Sequence, residues 1–222
     1  MIIPARGGSK RLPRKNIMLL DGRPVLAHVV QNGLDSGLFS RVIVSTEDAE
    51  IADLAAAAGA ELHRRPEQLA RDRSTVDEVC LEVLSLWPAQ AFCCVYATAA
   101  LLRPASLCAS YDVLAGDPAT DFVMGVSRYH YPPVQALRVG EDGFATMMWP
   151  EFERVQSQFH PQLCVSNGTL YWARTEAFTR HRTFYGTGLK PFYVAEDEVC
   201  DVNTERDFER MQAMYEARDC RR

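Results

Sequence analysis

The chain of 222 residues begins with the segment Met1-Ile2-Ile3-Pro4-Ala5-Arg6-Gly7-Gly8-Ser9-Lys10-Arg11-Leu12-Pro13-Arg14-Lys15-Asn16. Its apolar start predicts a buried strand, and two glycines follow it directly. Glycine lets the backbone turn sharply and present N–H groups to an anion. Residues 6–15 also carry five basic side chains and no acidic one. Because open α/β sheets bind ligands at the carboxyl ends of their strands, the segment predicts a polyphosphate site.

The spacing of these glycines does not match the phosphate-loop motif G-x-x-x-x-G-K-[ST] or the dinucleotide motif G-x-G-x-x-G. The alternative interpretation is a solvated basic loop that binds nothing. The two glycines at the end of the first strand favour the anion site.

The rest of the chain alternates short apolar runs with helical patterns. Residues 41–46 and 91–97 are almost continuously apolar, which is typical of strands covered on both faces. We predict strands at 1–5, 41–46, 60–64, 91–97, 121–127, 134–139, 168–173 and 190–195, and helices at 24–37, 48–58, 75–87, 104–115 and 204–218. This alternation predicts an α/β protein, one domain spanning 1–222, with a mostly parallel sheet and helices on both faces.

Composition excludes several classes of protein. The net charge of −5 argues against nucleic-acid or polybasic membrane partners. Seven cysteines without a C-x-x-C pair predict reduced thiols in a cytoplasmic protein. Residues 83–102 carry no charge, but Pro88 divides them. We therefore expect a helix end and a buried strand there, not a membrane span.

Residues 128–165 interrupt the alternation with four prolines and a group of aromatic side chains. We predict an inserted arm, with a hairpin, that contacts a second subunit of a homodimer. An ordinary surface loop is the alternative. His130 and His160 lie in this arm, where acceptor or partner contact is a hypothesis.

Residues 3–16, taken together, resemble the nucleotide-binding motif of the acylneuraminate cytidylyltransferases. Further motifs of that family occur in the family's order: Val44-Ser45-Thr46-Glu47-Asp48, Arg65-Pro66-Glu67-Gln68-Leu69-Ala70-Arg71-Asp72, Tyr96-Ala97-Thr98-Ala99, Leu170-Tyr171-Trp172 and Asp201-Val202-Asn203-Thr204-Glu205-Arg206-Asp207. The third and fourth are most similar to the pseudaminate branch. The resemblance implies a Rossmann-like nucleotidyltransferase fold, a homodimer, and transfer of CMP from CTP to a sugar acid with Mg²⁺.

The resemblance also implies roles for individual residues. For the nucleotide these are Arg6, Gly7, Gly8, Ser9, Lys10, Lys15, Asn16, Arg65 and Ser74, with Asn16 and Arg65 recognising cytidine. For the acceptor they are Tyr96, Thr98, Gln158, Asn167 and Tyr171. Arg6, Lys15 and Asp201 would be catalytic, and Asp201 and Asn203 would hold the metal.

The chain departs from the family at three places. Ala100 follows the Tyr96 motif where the family usually has proline. Asn203 stands where the family has a second carboxylate, and an amide oxygen is a weaker ligand for Mg²⁺. The stretch Cys164-Val165-Ser166 before Asn167 carries no arginine, so we expect a less basic acceptor pocket. The alternatives are therefore another anionic acceptor, such as a phosphonate or a shorter sugar acid, and a non-catalytic nucleotide-binding relative.

Overall fold

The computed structural model describes residues 1–71 and 73–219, so Asp72 of the Arg65 motif and Cys220 lie outside the described residues. The strands are β1 (Ile2–Pro4), β2 (Leu19–Leu20), β3 (Arg23–Pro24), β4 (Ile43–Thr46), β5 (Glu61–Arg64), β6 (Ala91–Val95), β7 (Phe122–Arg128), β8 (Leu137–Val139), β9 (Ala145–Met147), β10 (Cys164–Arg174) and β11 (Leu189–Tyr193). The helices are α1 (Val25–Asp35), α2 (Ala49–Ala57), α3 (Val76–Leu86), α4 (Pro104–Ala115), α5 (Thr175–His181) and α6 (Glu205–Asp219).

The central sheet has seven strands in the order β11-β7-β10-β6-β1-β4-β5. Strand β10 is antiparallel to both of its neighbours, and the other pairs are parallel. The chain proceeds from β1 to β4 on one side and later returns to β6 on the other. The strand order thus reverses between β1 and β6, which is where open α/β sheets form a ligand crevice.

Two apolar clusters cover the two faces of this sheet. On one face α1, α2, α4 and α6 contribute side chains such as Val29, Leu107 and Met211. On the other face α3 and α5 contribute Val83 and Phe178. The predicted sheet with helices on both faces is confirmed.

The predicted strands and helices are all present, with shifted ends. The sequence reasoning missed the short β2–β3 hairpin, β9 and α5. Residues 83–102 form the end of α3, strand β6 and the turn after it, as expected. In the part of the chain that the structure describes, no helix combines the length and the apolar character needed to cross a bilayer.

The arm at 128–165 contains a small antiparallel ribbon, β8 with β9, which is separate from the central sheet. Short 3-10 turns follow the ribbon. Several of its large apolar side chains are open to solvent, among them Tyr131 (84% exposed), Phe144 (74%) and Phe159 (71%). The expected hairpin is therefore present.

Candidate active site

A cavity of about 290 Å³ opens beyond the carboxyl ends of β1 and β6. Nine of the predicted site residues line it: Arg6, Ser9, Lys10, Lys15, Asn16, Arg65, Ser74, Tyr96 and Thr98. Arg11 and Arg71 also line it, and among the described residues no acidic side chain does. Such a wall suits a polyanion, because guanidinium and ammonium groups donate to phosphate oxygens without competition from a carboxylate.

The basic loop is attached to the start of α2. Arg14 adopts a left-handed backbone conformation (φ 57°) and forms ion pairs with Asp48 and Glu50. A Cβ atom on Gly7 would lie 2.4 Å from Asp48 Oδ2, so this close approach requires glycine. Arg14 therefore braces the loop, while four other basic side chains of the loop line the cavity.

Gly7 differs from the expectation that its N–H faces the ligand. That N–H donates to Glu47 Oε1 at 2.8 Å, so the protein itself supplies the acceptor. Gly8 is exposed, and a Cβ there would meet no atom within 4 Å. The two glycines thus have different structural roles, close packing for Gly7 and exposed backbone for Gly8.

Arg65 forms a buried part of the cavity wall. Its Nε donates to Ser45 Oγ at 3.2 Å and its Nη2 to the Ser45 carbonyl at 2.7 Å. Burial lowers the pKa of Arg65, and the nearby Glu47 carboxylate opposes that shift. Asn16 is also buried, and its amide donates to the Arg6 carbonyl at 3.0 Å. Both side chains thus donate to backbone carbonyls of the protein.

Lys15 connects the basic loop to the segment before α6. Its Nζ donates to the Val202 carbonyl at 3.0 Å. Burial lowers the pKa of Lys15, and the adjacent Asp201 opposes this. Asp201 is therefore close to the cavity although it does not line it.

The neighbourhood of Asp201 decides whether a metal fits. The Asn203 amide donates to Asp201 Oδ2 at 2.7 Å. Thr204, not Asn203, caps α6, since Asp207 N–H donates to Thr204 Oγ1 at 3.3 Å and the Thr204 N–H donates to Asp207 Oδ2 at 2.8 Å. No group of three His, Cys, Asp or Glu side chains among the described residues could hold a metal. One carboxylate and one amide oxygen still fit Mg²⁺ that arrives on phosphates, because Mg²⁺ often binds through one or two carboxylates together with substrate oxygens and water.

A bulge in β10 lies behind Tyr96, where the Thr169 carbonyl accepts the Tyr96 N–H at 3.1 Å, and none of the described residues of β10 lines the cavity. Residues 167–170 stand opposite the single residue Gly125 of β7. Gly168 takes a φ of +69°, which favours glycine, and a Cβ on Gly125 would lie 2.4 Å from Thr169 Oγ1. Within the bulge, Thr169 Oγ1 donates to Asn167 Oδ1 at 2.7 Å.

The bulge brings Tyr171 beside Tyr96, with ring centroids 5.3 Å apart. The Tyr171 hydroxyl is 2.7 Å from Ser166 Oγ. Burial, and then proximity to Tyr171, raises the pKa of Tyr96, so both phenols stay protonated at neutral pH. Tyr96 and Thr98 line the cavity, whereas Asn167 and Tyr171 lie behind that surface.

The candidate residues of the arm do not line this cavity. Gln158 is exposed, and its amide donates to Gln156 Oε1. His130 is exposed, and His160 Nε2 is 3.1 Å from the Val155 carbonyl. None of the three lines the cavity.

Sequence reasoning did not assign roles to Arg71 or Glu47. Arg71 lies within the Arg65 motif, so its basic charge was a usable signal. Glu47 stands in the Val44–Asp48 motif, but the motif indicated no role for it, because its hydrogen bond with Gly7 joins positions 40 residues apart in the chain.

Comparison with known proteins agrees with this geometry. A pseudaminic acid cytidylyltransferase from Campylobacter jejuni is 29% identical over 220 residues, covering 96% of this chain and 94% of that protein. A Helicobacter pylori protein that combines a pseudaminic acid cytidylyltransferase with a hydrolase is 31% identical, covering 97% of this chain and 42% of that protein.

A solved structure of CMP:2-keto-3-deoxy-manno-octonic acid synthetase complexed with CTP superposes with a TM-score of 0.74 at 19% identity, covering 98% of each chain. This likeness confirms the nucleotidyltransferase fold. The cytidylyltransferase family model matches residues 1–133, which include β1, the basic loop, Arg65 and Tyr96. With that match across more than half of its length, the chain belongs to the cytidylyltransferase family.

Proposed function

We propose that this chain transfers CMP from CTP to a nonulosonic acid of the pseudaminic type and releases pyrophosphate. The observation that carries this proposal is the cavity at the β1–β6 crevice, which is lined by six basic side chains and, among the described residues, by no acidic one. The acceptor class comes from the relatives, which are named for pseudaminic acid.

The reaction is an in-line displacement. An acceptor oxygen attacks the α-phosphorus of CTP, the bond to the β-phosphate oxygen breaks, and pyrophosphate leaves. Charge on the phosphate oxygens is then held by Arg6, Lys10 and Lys15, with Ser9 and the exposed Gly8 backbone beside them. These groups already lie at the end of β1, so they need to move little as charge develops on the phosphate oxygens.

Asp201 and Asn203 would hold Mg²⁺ together with the triphosphate. When bound, the metal would neutralise charge on the leaving group. The Lys15 side chain extends from the loop to the Val202 carbonyl, between this pair in the chain, so it links the loop to the residues that would hold the metal.

Base recognition is assigned to Asn16 and Arg65, which line the cavity together with the nucleotide-binding candidate Ser74. The first two are buried and held by the backbone, so they offer a fixed pattern that selects cytosine over larger bases. The acceptor is placed on the other side, against Tyr96 and Thr98, with Asn167 and Tyr171 supporting that surface.

The arm is proposed to join two subunits. The exposed side chains of Tyr131, Phe144 and Phe159 lie in one segment, and apolar exposure of this kind marks contact surfaces. Gln158 lies among them, so its proposed acceptor contact would be made in the neighbouring subunit. An isologous dimer is the usual arrangement of identical subunits.

Pyrophosphate release tests the proposal. The purified chain is given CTP, Mg²⁺ and one acceptor from a panel of pseudaminic acid, a sialic acid, a shorter sugar acid and a phosphonate. We expect release with CTP and the nonulosonic acids, and none without acceptor. Release with only the phosphonate or the shorter acid would replace the acceptor assignment. Binding of CTP without release for any acceptor would point to a non-catalytic relative.

A further inference from the structure

Glu47 connects two parts of the nucleotide site although it does not line the cavity. Its side chain is 23% exposed and lies between β4 and α2. Oε1 accepts the Gly7 N–H at 2.8 Å, and Oε2 lies 3.8 Å from Arg65 Nη1. Oε2 is buried and forms no hydrogen bond within the described residues, so its main interaction is with the charge of Arg65.

Arg65 requires such a partner. Ser45 accepts hydrogen bonds from Nε and Nη2, but these acceptors are neutral. The Arg65 side chain is 4% exposed, and a buried charge is costly unless an opposite charge lies close to it. The Glu47 carboxylate supplies that charge on the Nη1 side, and it opposes the effect of burial on the pKa of Arg65.

Gly7 is the other end of the connection. The loop turns at Gly7, where Asp48 lies too close for a side chain to fit. The Glu47 hydrogen bond fixes the orientation of the Gly7 peptide, and hence the path of the backbone into Gly8 and Ser9. A loop fixed in advance loses less conformational freedom when a ligand binds.

We infer that Glu47 is a positioning residue of the nucleotide site, which holds the Gly7 peptide and the Arg65 guanidinium in the arrangement that CTP meets. This inference rests on the proposed function only for the identity of the nucleotide, which is taken to be CTP. The arrangement itself exists in the free protein and is measurable without a substrate.

Two variants separate the two contacts. Glu47→Gln retains an oxygen acceptor for Gly7 but removes the charge that faces Arg65, and Glu47→Ala removes both. We expect Glu47→Ala to weaken CTP binding about tenfold or more, which is the typical effect of losing one hydrogen bond to a charged group. We expect Glu47→Gln to weaken CTP binding by about threefold. At saturating CTP, kcat should change less than twofold in both. Glu176→Gln is the matched control, since it removes the charge of an exposed ion pair with Arg180 on α5.

Hydrogen exchange of the Gly7 amide, measured by NMR without ligand, supplies the independent readout. We expect this amide to be protected in the wild type and in Glu47→Gln, and to exchange about tenfold faster in Glu47→Ala. Equal protection of the Gly7 amide in all three proteins would overturn the inference. Unchanged CTP affinity in Glu47→Gln would also overturn it, and this second measurement decides the matter if Glu47→Ala does not fold. If the wild type failed to bind CTP, the proposed function would fall, and the Gly7 exchange rates would still decide the role of Glu47.

Discussion

Asn203→Asp is the substitution that most directly tests the proposed metal site. In the free protein the Asn203 amide donates to Asp201 Oδ2 at 2.7 Å, so the variant replaces a hydrogen bond by two neighbouring carboxylates. For charges about 4 Å apart, the repulsion is about 1 kcal/mol in water and about 4 kcal/mol at an effective dielectric constant of 20. Because Asp201 is exposed, the lower value applies. Mg²⁺ relieves this repulsion, and we expect its half-saturation concentration to fall about five- to tenfold.

The assay is a Mg²⁺ titration of pyrophosphate release at fixed CTP and acceptor, together with thermal unfolding. Without Mg²⁺ the variant should melt about 2–4 °C lower than the wild type, and Mg²⁺ should restore this loss. The fold should persist, because Thr204 and not residue 203 caps α6. Ala213→Glu, which adds the same charge at an exposed position of α6, is the control and should leave the titration unchanged. An identical Mg²⁺ curve for Asn203→Asp and wild type would refute the assignment of the metal to residues 201 and 203.

Four other outcomes are expected. Lys15→Ala should lower kcat/KM about 10²–10³-fold in steady-state kinetics, as the loss of one preorganised stabiliser of phosphate charge does; a loss under threefold would contradict its role. Because burial lowers the pKa of Lys15, wild-type activity should decline with rising pH before an ordinary lysine would deprotonate, and a pH–rate profile that stays flat up to the range of a free lysine would count against this. Tyr131→Asp with Phe144→Asp should turn a dimer into a monomer by light scattering at micromolar concentration, and a wild type that is already monomeric would argue against the proposed arm contact. CTP should raise the melting temperature more than ATP, GTP or UTP do, since Asn16 and Arg65 present a fixed pattern to the base; equal shifts would remove their assigned role.

The sequence was informative wherever a local pattern has one physical meaning. The sequences of β4 and β6 are apolar at successive positions, so both faces of each strand need to be buried. This pattern predicted a sheet that is covered on both faces. Glycines and basic residues after β1 predicted the cavity, since a strand end is where such a loop meets a ligand.

The features that the sequence did not reveal depend on contacts between distant positions. Strand β10 has an apolar run that suits a parallel or an antiparallel neighbour equally well, so its direction could not be predicted. Arg14 is one of five similar basic residues, and its ion pairs with Asp48 and Glu50 depend on how the loop folds against α2. Asn203 and Thr204 are both good capping residues, and the structure distinguishes them through Asp207.

The bulge in β10 separates two registers on a single strand. Residues 164–166 pair with β7 in one register, and residues 171–173 pair with it in another. In a continuous ladder, a shift of one residue would turn every following side chain to the opposite face of the sheet. Here residues 167–170 can absorb such a shift before it reaches Tyr171 and Trp172, which stay packed in the core. We therefore expect insertions and deletions in the arm to leave the strands that border the cavity in place.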